Sequence, residues 1–235
     1  MNCQTKLGVC CLLLSLFSLS CQDKKSFNSL QETGYHGKVS KVREEFWIKS
    51  NTGEDHKVRP TISIHYYTKA GQQVKVERLN SWEDDVPSLN YTAEYQWKGG
   101  RPVSYQAVDR KQKPVEKGTY TWNGSNQYSL DVEAVDGMRS HVERILDEKG
   151  RVKESYSQYK LPRREDMYEN RIQIQRDEKG DMIKTVTIPK NGELPETTRF
   201  VYATKDQQGN GTLIYLLREK AGDTLAKYIR QFEYY

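Results

Sequence analysis

The residue types that usually carry chemistry are few and scattered in this 235-residue chain. Its four histidines, His36, His56, His65 and His141, fall at no metal-ligand spacing, and no H-x-x-x-H occurs. His65 follows Ile64 in an alternating stretch and reads as sheet surface or packing. There is no G-x-S-x-G and no glycine-rich phosphate loop. One acidic cluster stands out, Glu83-Asp84-Asp85, between Trp82 and Pro87. Loop carboxylates can hold a cation, although a solvated turn would look the same. A Trp beside them can stack on a sugar ring or receive a partner. Trp82, Glu83, Asp84 and Asp85 are therefore the candidate partner-binding residues. No catalytic set, resident metal or cofactor is implied. Carboxylates paired across a cleft would leave no signature in spacing.

All four cysteines lie in the first 21 residues: Cys3, Cys10, Cys11 and Cys21. They flank or interrupt an apolar run, Leu7–Leu19, preceded by Lys6. The run is too short to span a bilayer, which takes about 20 apolar residues. It fits the apolar core of a secretory signal. It ends in Ser18-Leu19-Ser20-Cys21, which resembles the lipobox of bacterial lipoproteins in its looser, Bacteroidota-type form, with Ser18 in the usual Leu place. The resemblance implies that residues 1–20 leave as a signal peptide and that Cys21 is lipidated. No free thiol would then remain, so a disulfide framework and a cysteine metal site are excluded for the mature chain. In such lipoproteins Asp directly after the cysteine favours the inner membrane. Gln22 stands here, which implies the outer membrane, with the face left open. Residues 21–36 are polar and read as a lipid-anchored tether; residues 37–235 read as a single domain. Asp223-Thr224-Leu225 resembles the short O-glycosylation pattern of Bacteroidota-type exported proteins, which would place a glycan on Thr224.

Composition narrows the partners. Basic residues number 37 and acidic residues 32, a net charge of +5, with the signs interleaved. A nucleic-acid binder would concentrate its Lys and Arg, so no nucleic acid is expected. Mean hydropathy is −0.89, yet there are 16 Tyr, 4 Trp and 5 Phe. Disordered chains are poor in aromatics. The chain therefore folds, and its buried area is largely aromatic.

The elements that must position these residues are strands. Apolar residues alternate with polar ones at Ile62, Ile64 and Tyr66; at Ala93, Tyr95 and Trp97; at Tyr128, Leu130, Val132 and Ala134; and at Phe232 and Tyr234. Strict alternation marks half-buried antiparallel strands, and no helical stripe follows the signal. Asn123-Gly124, Asp136-Gly137, Lys149-Gly150 and Lys179-Gly180 punctuate the runs as hairpin turns. About 14 strands follow from Lys38 onward. The fold class is all-β: an antiparallel up-and-down hairpin meander, curled or barrel-like. Trp97 and Trp122 share faces with Tyr95 and Tyr120 and so belong to the core. Charges on most strands argue against a transmembrane barrel. LDEKGRVKESY (146–156) and RDEKGDMIKTV (176–186) share the shape x-D-x-x-G, which resembles the YD or Rhs-type hairpin repeat. That resemblance implies an extended hairpin sheet and no activity.

Three functions fit. The first is a non-enzymatic envelope module, anchored in a membrane by lipid, that binds a protein, glycan or lipid partner. The second is an envelope-polymer hydrolase using paired carboxylates. The third is a lipocalin-like carrier of an apolar ligand.

Overall fold

The computed structural model describes residues 27–49, 59–83, 86–161, 167–190 and 193–235, with the backbone alone for 81–83. Fourteen strands follow one another: β1 (Val39–Ile48), β2 (Thr61–Tyr67), β3 (Gln73–Glu83), β4 (Val86–Lys98) and β5 (Arg101–Asp109). Next come β6 (Pro114–Asn123), β7 (Gln127–Ala134), β8 (Arg139–Leu146), β9 (Val152–Lys160) and β10 (Met167–Arg176). The last are β11 (Met182–Pro189), β12 (Glu196–Lys205), β13 (Gly211–Arg218) and β14 (Thr224–Tyr234). Each pairs antiparallel with its neighbours in sequence, and β14 pairs with β1, so the sheet is a closed barrel. The all-β meander read from the sequence is the observed fold, and the alternatives of barrel and open sheet resolve to a barrel. Closure leaves no free sheet edge.

The turns explain the strand boundaries. Gly124, Gly137, Gly150 and Gly180 all have positive φ, as their turn positions require. The x-D-x-x-G shape recurs as one local structure. The Asp147 carboxylate accepts from the backbone N–H of Lys149 and Arg151, each at 2.9 Å, and the Gly150 N–H donates to the Asp147 carbonyl. Asp177 and Asp206 build closely similar turns. So does Asp109, where Gln112 takes the positive φ.

Same-face partners continue from strand to strand. One such row passes through Val42, His65, Val76, Ala93 and Ala107. This is the inner face, because Val42, Val76, Ala93, Ala107, Tyr105, Tyr128 and Ile214 are buried. Trp97 and Trp122 lie on it, packed against Tyr128 and its neighbours as expected. Gly118 exists to make room there. A Cβ at that position would sit 2.0 Å from the Tyr105 ring on the paired strand. The outer face carries cross-strand ion pairs instead: Lys41–Glu233 at 2.7 Å, Lys117–Glu133 at 2.8 Å and a bidentate Arg171–Glu154 at 2.8 Å. The arc from β11 to β2 is richer in apolar side chains outside, with Val186, Ile188, Val201, Leu213, Leu217 and Ile229 facing out. Even there Arg43, Glu45 and Lys227 intervene, Lys227 lying 5.2 Å over the Trp47 ring.

Residues 27–38 seal one end, the end of the β2–β3, β4–β5 and β12–β13 turns. Asn28 caps the short helix α1 (Ser29–Thr33), accepting from the N–H groups of Leu30 (2.9 Å) and Gln31 (3.2 Å). Five residues are too few for a helix to persist alone, so tertiary contacts hold it. The Phe27 N–H donates to the Gly100 carbonyl at 3.1 Å, and its ring meets Trp122 edge-on at 5.1 Å. The Leu30 N–H donates to Gly71, whose φ is +79 and whose Cβ, if present, would lie 2.3 Å from Asn28. Across the opening, the His36 N–H donates to Asn210 (2.7 Å), and the Asn210 amide donates back to the His36 carbonyl (2.9 Å). Between these points the Glu32 carboxylate accepts from Arg144 (2.7 Å) and from the Tyr128 hydroxyl. The stretch read as a tether is therefore part of the folded unit from Phe27 onward. Its remainder, 21–26, lies outside the described residues.

Two substitutions test this packing. Glu32→Ala leaves Arg144 without its carboxylate and should cost roughly 1–3 kcal/mol, the range for a hydrogen bond to a charged group. Adding Arg144→Met should recover part of the loss, measured by urea unfolding. Gly118→Val must displace the Tyr105 ring and should cost about 1–3 kcal/mol. Thr119→Val, whose side chain points outward on the same strand, should change the unfolding midpoint little.

Candidate functional site

Among the described residues the barrel is closed off at one end and open at the other, where β1–β2, β3–β4, β5–β6, β7–β8, β9–β10, β11–β12 and β13–β14 are joined. Of the candidate residues named from sequence, Trp82, Glu83 and Thr224 lie at this end. Trp82 and Glu83 sit at the close of β3, paired in register with Pro87 and Val86; Asp84 and Asp85 lie outside the described residues. Thr224 begins β14 on the same rim and pairs with Leu217. The preceding Asp223 carboxylate lies 3.6 Å from Arg218. Cys21 lies outside the described residues, but the chain enters the barrel at the opposite, sealed end. No group of three or more His, Cys, Asp or Glu side chains suited to a metal ion occurs among the described residues.

The best-formed recess at the open end is one that the sequence did not single out. It encloses about 560 Å³ between the upper parts of β9–β12. Tyr159 and Tyr168 form its floor on one side, their rings nearly parallel, 5.0 Å apart and 10° from coplanar. Register explains the pair: Tyr159 and Tyr168 are direct partners on the inner face of the β9–β10 hairpin. One step deeper the partners are Ser157 and Asn170, joined by a 2.5 Å hydrogen bond. Thr187 and Glu196 face each other across β11–β12, and the Glu196 carboxylate accepts from Arg218 at 3.1 Å. Met167, 55 % exposed, and Leu194, 79 % exposed, stand on the rim. The signal was present in the sequence. Two tyrosines flank the 160–167 loop at equal distances, which a hairpin register converts into a contact.

The wall below this recess is more polar than the rest. Its inward residues include Ser155, Ser157, Asn170, Thr185, Thr187 and Thr198, all half-buried, with Ile172 and Ile174 between them. The inward residues of β4–β7 are mostly apolar or aromatic, with Ala93, Tyr105, Ala107 and Val132 buried. Arg144 faces the interior, and 39 % of its side-chain surface is open. The tyrosines of the interior are held neutral. Burial pushes the Tyr95 hydroxyl up to about 12, and the same cause acts more strongly on Tyr120 and Tyr128.

This is the architecture of a closed, up-and-down antiparallel β-barrel, sealed at one end by residues 27–38 and, among the described residues, open at the other. No family model matches the chain, and no curated protein matches it in sequence. Among solved structures, a porin-like protein from Bacteroides vulgatus superposes with a TM-score of 0.50 at 13% identity, over 84% of this chain and 98% of its own. A porin-like protein from Bacteroides uniformis aligns at a TM-score of 0.46 and 13% identity, over 84% and 99%. The first likeness extends over nearly the whole barrel and concerns its fold.

Two histidines report on the two faces of the wall. On the outside, the hydrogen bond that His141 donates to the Asp131 carboxylate (2.6 Å), helped by Glu143, holds His141 above the ordinary 6.5. Its stabilisation is complete below that ordinary value and is lost as pH rises through the raised one. An exposed pair of this kind contributes about 0.2–1 kcal/mol. On the inside, burial outweighs the neighbouring Glu44 and holds His65 below 6.5. Its linkage has the opposite sign: the stabilisation is present above 6.5 and fades as pH falls through the lowered value. Proton NMR titration should place the two imidazoles on opposite sides of 6.5, and Asp131→Asn should lower His141 alone.

Proposed function

We propose that this chain is a non-enzymatic binding module of the bacterial cell envelope, anchored by lipid on Cys21, with the sealed end of its barrel at the membrane and the open end turned away. The observation that carries the proposal is the combination of a charged outer wall with a single sealed end next to the chain's entry. Arg or Lys facing lipid costs about 2–4 kcal/mol at the midplane, so the ion pairs of the outer wall suit water. A bilayer would then be reached through the anchor and not through the strands. Cys21 precedes Phe27 by only a few residues. At about 3.5 Å per residue the linker reaches roughly 20 Å, which keeps the sealed end close to the lipid headgroups. The similar Bacteroides structures, described as porin-like, are in keeping with an envelope setting, and Gln22 after the cysteine favours the outer membrane.

The open end is then the surface free to meet a partner, and it gathers the Trp82 hairpin, Thr224 and the tyrosine recess. Its lining favours binding over the other two functions. An apolar cargo would bury the hydroxyls of β9–β12 unpaired, at about 1–3 kcal/mol each. The carboxylates at the recess are engaged, Glu196 by Arg218 and Glu169 by Lys190 at 2.6 Å, which leaves little to act as a free acid–base pair.

Cell fractionation of the full chain tests the anchoring. Wild type should sediment with membranes after a high-salt wash, and Cys21→Ala should move to the soluble fraction. A Cys21→Ala chain that stays with the membrane would show that the strands or another segment hold it there, and the proposed arrangement would fall.

A further inference from the structure

We infer that the recess between the Tyr159–Tyr168 pair and Glu196 is a binding site for a neutral oligosaccharide; this rests on the reading of the open end as the binding end. Three features of the recess bear on ligand chemistry. The first is the aromatic pair. Two near-parallel rings stacked with centroids 5.0 Å apart brace each other, and a ring face not used in the stack is a flat π surface, negative over its face. A pyranose ring has one face of C–H groups, weakly positive and apolar, that matches such a surface in shape and sign.

The second feature is the polar lining around that pair. Asn170 supplies an amide, Thr187 a hydroxyl, and Ser155, Ser157, Thr185 and Thr198 add hydroxyls further in, interspersed with Ile172 and Ile174. A sugar offers each of these a donor and an acceptor. A hydrocarbon chain offers none and would strand them. The volume, about 560 Å³, lies inside the range of roughly 300–1,000 Å³ common to ligand pockets.

The third feature is charge. Lys190 and Arg218 at the recess are engaged by Glu169 and Glu196. An anionic chain, such as a polyuronate, would have to compete with those carboxylates for a cation. A neutral chain has no such need. Extended chains also suit the setting, because the hydroxyl wall runs from the rim toward the interior and would carry successive sugar units along one path.

Isothermal titration of the full-length chain, solubilised from membranes, tests the inference. The probes are maltohexaose, cellohexaose and mannohexaose, with hexagalacturonate as the anionic comparison and anilinonaphthalene sulfonate as the apolar one. At least one neutral hexaose should bind saturably. Tyr168→Ala and, separately, Tyr159→Ala should each weaken it about tenfold or more, with unchanged circular dichroism. Arg171→Ala, on the outer face of the same strand, should leave affinity within about twofold. The inference is overturned if no neutral hexaose binds at 10 mM, if both tyrosine variants bind as wild type does, if hexagalacturonate binds as tightly as the neutral sugars, or if the apolar probe alone occupies the recess. Should the sugars fail while Cys21→Ala still releases the chain from membranes, the envelope reading stands and the oligosaccharide site does not.

Discussion

Fourteen strands enclose more space than their inward side chains can fill. Eight strands leave an interior just wide enough for side chains to pack, and wider barrels must hold water, a ligand or a plug. Most of this molecule follows from that constraint. Its interior is built from tyrosines, which cover apolar area with the ring and meet water with the hydroxyl. Where inward side chains pack tightly, as Ala93, Ala107 and Tyr105 do, Gly118 has given up its Cβ to admit a ring. Where they cannot, the wall turns to Ser and Thr. The open side chain of Arg144 marks the boundary between the two regimes.

The same constraint explains the plug. A wide barrel end exposes the inner rims of many strands, and residues 27–38 cover them by touching turns on both sides of the opening. Few of these contacts are strong alone. Phe27 seats among Trp97, Trp122 and Tyr128, Glu32 meets Arg144, and Tyr35 packs on Phe232 at 5.3 Å with Arg230 beside it. The arrangement spreads attachment over many turns, so that no single loop need move for the seal to form. The outer wall shows the complementary solution. On that face, oppositely charged neighbours across strands help settle register.

How far the sequence carried the fold depends on the range of each interaction. Strand number and turn glycines were legible because alternation and D-x-x-G chemistry act within a few residues. The Asp147 carboxylate shows it. Burial pushes it up, yet hydrogen bonds from Arg151 and Lys149 outweigh burial and hold it below the usual carboxylate range. Closure was not legible, since the β1–β14 register joins Val42 to Phe232 and no local pattern announces a partner so distant in the chain. The plug was hidden for the same reason. Residues 27–38 have no period of their own, and every contact that fixes them comes from elsewhere. The Trp82 cluster drew notice by residue type, while Tyr159 and Tyr168 are ordinary in composition and informative only once paired.

The placement of the recess relative to the plug has a further physical consequence. Both are attached to the same wall segment: β8 holds Arg144, which grips Glu32 of the plug, and β8 pairs along its length with β9, whose Tyr159 lines the recess. Arg144 and Ser155 are direct partners in the sheet, and β9 runs on from Ser155 to Tyr159, so one hairpin carries both the contact to the plug and a side of the recess. The β4–β7 wall, packed tightly by its own aromatic residues, has no comparable polar link to Glu32 apart from Tyr128. The more polar wall is thus also the one joined by an ion pair to the segment that seals the barrel.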